Sequence, residues 1–223
     1  MKKAGYILII LLGLLMSSCL KEKFVQENFV DLGLPSGLLW AKCNLGATTP
    51  EEYGNYYAWG ETTSKIDYSW DSYVHGNGAY ELTKYCIDPG FGYNGFSDNL
   101  NTLQPADDAA TVLLGKGFRI PTSEEWEELL DNTTSEWTSV NNVSGLKLTA
   151  ANGNSLFLPA AGHCKGAYIE QLGIYGRYWS STLYDSYQGS ACDMYMYTDS
   201  RNYGVGKYYR YSGRTIRAVY PAH

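Results

Sequence analysis

Histidine is scarce in this chain. There are three in 223 residues, and one of them, His223, is the last residue. His75, His163 and His223 are too few and too scattered to suggest a metal centre. CxxC spacing is missing, which removes support for a structural zinc site. Ser180 and Ser181 lack a surrounding GxSxG elbow, and the glycines are spread through turns and not gathered into a phosphate-cradling loop. A Ser-His-Asp set drawn from Ser181, His163 and Asp185 carries no weight, because any chain with such common residues allows one. Basic clusters are missing as well. With 17 Lys and Arg against 23 Asp and Glu, the formal charge is −6, which argues against a nucleic-acid partner.

Residues 7–16 form an apolar run that is too short to cross a bilayer comfortably, since roughly 20 residues are needed. Lys2 and Lys3 precede this run, and Ser17, Ser18 and Cys19 follow it, which is the layout of an export signal. A cysteine directly after the small pair is similar to bacterial lipoprotein signals. That similarity implies cleavage before Cys19, lipidation of that cysteine, and a domain tethered to the outer membrane without spanning it. Met16 stands where leucine is more usual. The alternative is an ordinary secreted protein with a chance cysteine. The organisation expected is a signal peptide over 1–18, an anchor and polar linker over 19–28, and one domain over 29–223. Cys43, Cys86, Cys164 and Cys192 remain after the anchor, and an exported protein with four cysteines can form disulfides in three full pairings.

From Phe29 onward, short apolar segments alternate with Gly, Pro and Asn. VDLGL (30–34), GLLWAKCNLG (37–46) and GNYYAWGE (54–61) read as strands, and residues 61–106 as a long irregular insertion. Asp107 and Asp108 before an Ala- and Leu-rich run closed by Gly115 predict a short helix. Thr122 and Glu125 have capping-box spacing, and Trp126, Leu129 and Leu130 give that second helix one apolar face. Its acids Glu124, Glu125, Glu127 and Glu128 read as a capped, solvated face and not as a catalytic pair. LKLTA (146–150) and SLFLPA (155–160) flank Asn152-Gly153-Asn154 as a hairpin. YWSST (178–182), the alternating segment 191–198 and TIRAVYP (215–221) complete an α+β domain of many short strands and few helices.

Ten of the 21 tyrosines fall within residues 175–211, among Ser, Asp, Asn and Gly. A stiff ring with a hydroxyl, mixed with small adaptable polar residues, is the composition of binding loops. Tyr also favours strands, so a sheet without a ligand is the competing reading. The alternation in 191–198 puts Cys192, Met194 and Met196 on one face and Asp193, Tyr195 and Tyr197 on the other. The stretches after Asp199 and after Lys207 read as loops. The candidate ligand-binding residues are Tyr184, Asp185, Tyr187, Tyr195, Tyr197, Asn202, Tyr203, Tyr208, Tyr209 and Tyr211, with Trp179, Arg210 and Arg217 as scaffold beneath.

Six motifs occur in order: residues 30–62, DDAA (107–110), RIPTSEEWEELL (119–130), NGNSLFLPAAG (152–162), YWSST (178–182) and GRTIRAV (213–219). Together they resemble the Fibrobacter-type major paralogous domain, which is found in exported proteins of Bacteroides-like bacteria. The resemblance implies a C-type-lectin-like fold of the kind seen in formylglycine-generating enzymes, with N- and C-terminal strands side by side. The tail also resembles the variable proteins of diversity-generating retroelements, whose C-terminal region carries ligand-facing residues.

The tyrosine-rich composition and the lack of catalytic motifs, set on this implied scaffold, predict a surface-exposed, non-catalytic recognition or adhesion domain for a protein or glycan. Two alternatives remain: a metal-dependent enzyme of the formylglycine-generating type, or a structural subunit of a surface appendage. The enzyme would require a copper-binding cysteine pair, and Cys164 and Cys192 lack the family's surrounding motif. Sugar-binding C-type lectins use a Glu-Pro-Asn or Gln-Pro-Asp tripeptide on calcium, where this chain has Gln104-Pro105-Ala106. Asp98, Asn99, Asn101, Asp107 and Asp108 could still supply oxygens to a structural calcium. Turn-forming and helix-capping roles are the simpler assignment for them.

Overall fold

The computed structural model describes residues 19–198 and 202–222, so the expected signal peptide and residues 199–201 lie outside the described residues. Residues 19–28, expected as a linker, are instead helical (α1). Val25 is buried there, Lys23 and Glu27 pair one turn apart at 3.8 Å, and the Asn28 side chain donates to the Phe24 carbonyl.

Strands β1 (Phe29–Asp31) and β2 (Leu38–Ala41) then form an antiparallel hairpin with Val30 opposite Trp40. Residues 54–61, expected as a strand, make one isolated bridge between Tyr57 and Arg214. The insertion 61–106 is irregular as expected, built from bends and short 3-10 turns. Helix α2 (Ala109–Leu114) is capped by Asp108, whose carboxylate accepts from the Thr111 and Ile120 amides. Helix α3 (Ser123–Asp131) has the complete capping box between Thr122 and Glu125 and stops at Asn132. Arg119 forks onto the same Glu125.

Strands β3 (Thr133–Val140), β4 (Val143–Ala150) and β5 (Ser155–Pro159) form an antiparallel meander, with the expected hairpin turn at residues 151–154. A small hairpin, β6 (His163–Lys165) and β7 (Tyr168–Glu170), follows. Strands β8 (Tyr175–Leu183), β9 (Ser190–Tyr197) and β10 (Tyr203–Tyr209) make a third antiparallel sheet in the order β10-β9-β8. The last strand, β11 (Val219–Pro221), pairs with the free side of β2 and places Val219 opposite Trp40. The molecule is therefore α+β, with few helices and small, mostly antiparallel sheets.

The amphipathic α3 inserts Trp126 and Leu129 between the sheets. Trp40 lies 4.7 Å from Trp126, and Leu146, Leu148, Leu158, Tyr178, Met194 and Met196 close around them. A second core gathers Phe29, Trp59, Tyr85, Phe118, Trp179 and Ile216. Three fully buried arginines tie these layers together. Arg217 donates to Asn44 and to the carbonyls of Ala41, Lys42 and Phe157, joining the first sheet to the second. Arg210 donates to the Tyr73 hydroxyl and to the carbonyls of Lys84, Tyr85 and Gln188, fastening the irregular insertion to the third sheet. Trp179, Arg210 and Arg217 are thus scaffold, as their positions in the sequence suggest.

Candidate functional site

The third sheet carries the tyrosine-rich stretch. Its β9 alternates as expected: Met194 and Met196 are buried, while Tyr195 is half-buried and Tyr197 exposed. Asp193 shares the tyrosine face but is fully buried. Residues 203–204 and 207–209, expected to lie in loops, belong to the edge strand β10. Gly204 and Gly206 sit under the Tyr195 ring, where a Cβ at Gly206 would lie 3.0 Å from it. Glycines there let the ring lie flat across the strand.

None of the ten candidate residues is buried, and of the ten tyrosines in 175–211 only Tyr178 is. Tyr178 belongs to the core and donates to the Pro159 carbonyl at 2.7 Å. Register separates the candidates. Tyr203 stands opposite Met196 and packs beside the methionine core, away from Tyr195 and Tyr197. Tyr184, Asp185 and Tyr187 occupy the turn after β8, and Asn202 is exposed just before β10. Lys207 donates to the Tyr184 hydroxyl at 2.7 Å, which holds that phenol below its usual pKa.

The rings form a continuous network. Tyr209 stacks nearly parallel on Tyr211 at 5.6 Å, and Tyr211 meets Trp70 at 5.2 Å. Tyr187 contacts Tyr209 at 6.3 Å and reaches Phe91 and Tyr80 at 5.7 and 6.2 Å. Tyr80 is 62% exposed and Tyr209 41%. Trp70, Tyr80 and Phe91 come from the irregular insertion and were not among the candidates. The insertion's own Tyr- and Gly-rich composition was the available signal.

Tyr208 has a different setting. Its ring contacts the guanidinium groups of Arg177 at 4.9 Å and Arg214 at 4.5 Å. Arg177 also covers Tyr175 at 4.8 Å, and Arg214 covers Trp179 at 4.5 Å. The result is an alternating ladder, Tyr175, Arg177, Tyr208, Arg214, Trp179, running from the surface into the core. Tyr208 is half-buried and held by both guanidinium groups, which fits a supporting role. Arg177 and Arg214 both donate to the same oxygen, Asp193 Oδ2. Burial pulls the Arg214 pKa down to about 10, and burial with the nearby Arg214 charge pulls His163 down to about 4.

The other candidate chemistry is dispersed. Cys43, Cys86, Cys164 and Cys192 are all free thiols. Cys164 lies on β6 and Cys192 on β9, and burial raises both thiols to about 11. Ser181 donates to the Pro121 carbonyl. Asp98 accepts from the amides of Tyr85, Cys86 and Leu100, and Asp107 from Lys84 and the Tyr85 hydroxyl. With Asp108 capping α2, the acids raised for calcium hold turns and a helix end. Among the described residues, no three His, Cys, Asp or Glu side chains gather at a metal-binding distance. No described helix is long and apolar enough to cross a membrane. Compared with protein-family models, curated proteins and solved structures, the chain matches none.

Proposed function

We propose that this chain is a non-catalytic recognition domain on a C-type-lectin-like scaffold, lipid-anchored at Cys19 to the bacterial outer membrane and binding a protein or glycan through its tyrosine face. The observation that carries the reading is the continuous ring network at the surface, to which two distant segments contribute. Isolated exposed aromatics are ordinary, whereas a joined patch rimmed by polar residues marks an interaction site. The hairpin β1–β2 and the closing β11 in one sheet support the lectin-like assignment. The exposed Cys19 stands beside exposed Leu20, and Leu20, Phe24, Leu113 and Phe118 line an apolar depression of about 590 Å³ suited to rest on lipid.

Alanine at Tyr80, Tyr187 and Tyr209 together tests the binding face. The triple variant is expected to lose adhesion of protein-coated beads to cells and to lose its glycan-array signal, with thermal stability nearly unchanged. Full adhesion by a folded triple variant would overturn the reading.

A further inference from the structure

Helix α1 starts at Cys19 itself, so no loop separates the proposed anchor from the domain. The helix is also fastened along its length. Val25 is buried, Phe24 meets Phe118 edge-on at 5.7 Å, and Lys42 Nζ donates to the Glu27 carbonyl at 2.7 Å. Lys21 Nζ donates to the Lys116 carbonyl at 2.6 Å and lies 5.0 Å from the centroid of the Tyr220 ring, tying the first turn of α1 to the segment after α2. The residue that carries the anchor is therefore held at one place on the domain.

That place is apolar. Leu20 is 66% exposed, Leu113 53%, Val112 50% and Phe24 39%. Leu20, Phe24, Leu113 and Leu114 share the walls of the depression of about 590 Å³ between α1 and α2. Helix α2 buries Ala109 and Ala110 and turns Val112 and Leu113 outward, the reverse of what water favours. The charged residues of the walls are Lys21 and Lys116, with no carboxylate among them. Over the wider face the charge is close to balanced. Helix α1 has Lys21 and Lys23 against Glu22 and Glu27, residues 109–118 add Lys116, and three lysines against two glutamates leave +1. Lys23 and Glu27 pair with each other at 3.8 Å. A nearly neutral apolar face with lysines at its rim suits a bilayer surface, where the lysine stems lie along acyl chains and the ammonium groups reach the phosphates.

We infer that α1 and the end of α2 dock on the lipid surface, so that the domain sits flush on the membrane in one orientation and does not swing on its tether. The inference rests on the lipid anchor proposed above and adds a second contact to it. Two observations select lipid as the occupant. Cys19 precedes Leu20 directly and stands five residues before Phe24. That is about 7.5 Å along a helix axis, comparable with the roughly 5–10 Å to which an interfacial helix sinks. The apolar run 7–16 also precedes the same helix in sequence, so an N-terminal segment that enters lipid brings this face with it. Tethering makes the second contact intramolecular, and even a weak one is then populated.

The test uses the full chain, lipidated in a bacterial host and reconstituted into phosphatidylcholine vesicles whose brominated acyl chains quench nearby indoles. Leu113→Trp adds an indole at the docked face, and Ile66→Trp, 91% exposed and outside the depression, is the control. Compared with unbrominated vesicles, the emission added at residue 113 is expected to fall about twofold or more, and that added at residue 66 to stay within about a tenth. Leu20→Asp combined with Leu113→Trp is expected to restore about half of the lost emission, because a carboxylate in the contact opposes insertion. Both positions are more than half exposed, so these variants keep the fold. A chain with lipid on Cys19 that binds vesicles but is unquenched at residue 113 would overturn the docked face and leave the anchor standing. Quenching that persists with Leu20→Asp would overturn it as well. A detergent-solubilised chain that is a dimer, and a monomer with Leu113→Asp, would give the face to a second copy. A chain without lipid on Cys19 that stays in solution would remove the anchor and this inference together.

Discussion

The Arg214 guanidinium lies 4.5 Å from the centroid of the Tyr208 ring, and Arg177, 4.9 Å from the same centroid, shares Asp193 with it. This contact packs one tyrosine of the stretch onto a core arginine, while its neighbour Tyr209 is 41% exposed.

Tyr208→Ala is therefore expected to destabilise the fold by about 2–3 kcal/mol, because it removes a packed ring and two cation–π contacts. Tyr209→Ala, 41% exposed, is expected to stay within about 1 kcal/mol of the parent. Urea titration of the two variants checks the contrast, and equal losses would contradict the division of roles.

Asp193→Ala removes the carboxylate that Arg177 and Arg214 share. Leaving buried guanidinium groups uncompensated is expected to cost about 3–5 kcal/mol, measured as a lower urea midpoint. Asp193→Ala combined with Arg214→Met should recover part of that loss, because the buried charge leaves with its partner.

His163 sets a pH dependence. Its pKa falls from 6.5 to about 4 in the folded chain, so between those values the unfolded chain binds the additional proton. Stability is fully present above the unfolded pKa and declines as pH drops from about 6.5 to about 4, by up to about 3 kcal/mol. Unfolding free energies across that range should show the slope, and His163→Gln should flatten it.

Arg210→Met is expected to loosen the 61–106 segment first. The carbonyls of Lys84, Tyr85 and Gln188 would lose their donor, at about 1–3 kcal/mol for each group left unpaired. Faster hydrogen exchange within 61–106, with α3 still protected, is the outcome to look for. Uniform exchange across the chain would show that the insertion is not separately held.

Local signals were legible where a few neighbouring residues decide the structure. Thr122 and Glu125 announced the start of α3, Asn152-Gly153-Asn154 announced the β4–β5 turn, and alternation separated Met194 and Met196 from Tyr195 and Tyr197 in β9. Calcium-like acids were equally readable as turn and cap residues, because Asp98 and Asp108 meet amides within a short stretch of chain or across one connection. The errors came where distant partners decide. Residues 203–204 and 207–209 look like loop by their glycines and tyrosines, yet β9 lies alongside and the Tyr195 ring covers Gly204 and Gly206, which makes them strand. Residues 54–61 look like a strand, yet the chain offers them one bridge and no ladder.

The sequence by itself determined the α+β class, the capped helix and the tyrosine-rich composition, since these follow from short-range periodicity and side-chain chemistry. Only the tertiary structure decided which tyrosines face outward together, that Trp70, Tyr80 and Phe91 join them, and that Arg177 and Arg214 share Asp193. Those relations depend on strand register and on packing between segments more than a hundred residues apart in the chain, as with Arg210 and Tyr73. Neither composition nor spacing records such distances.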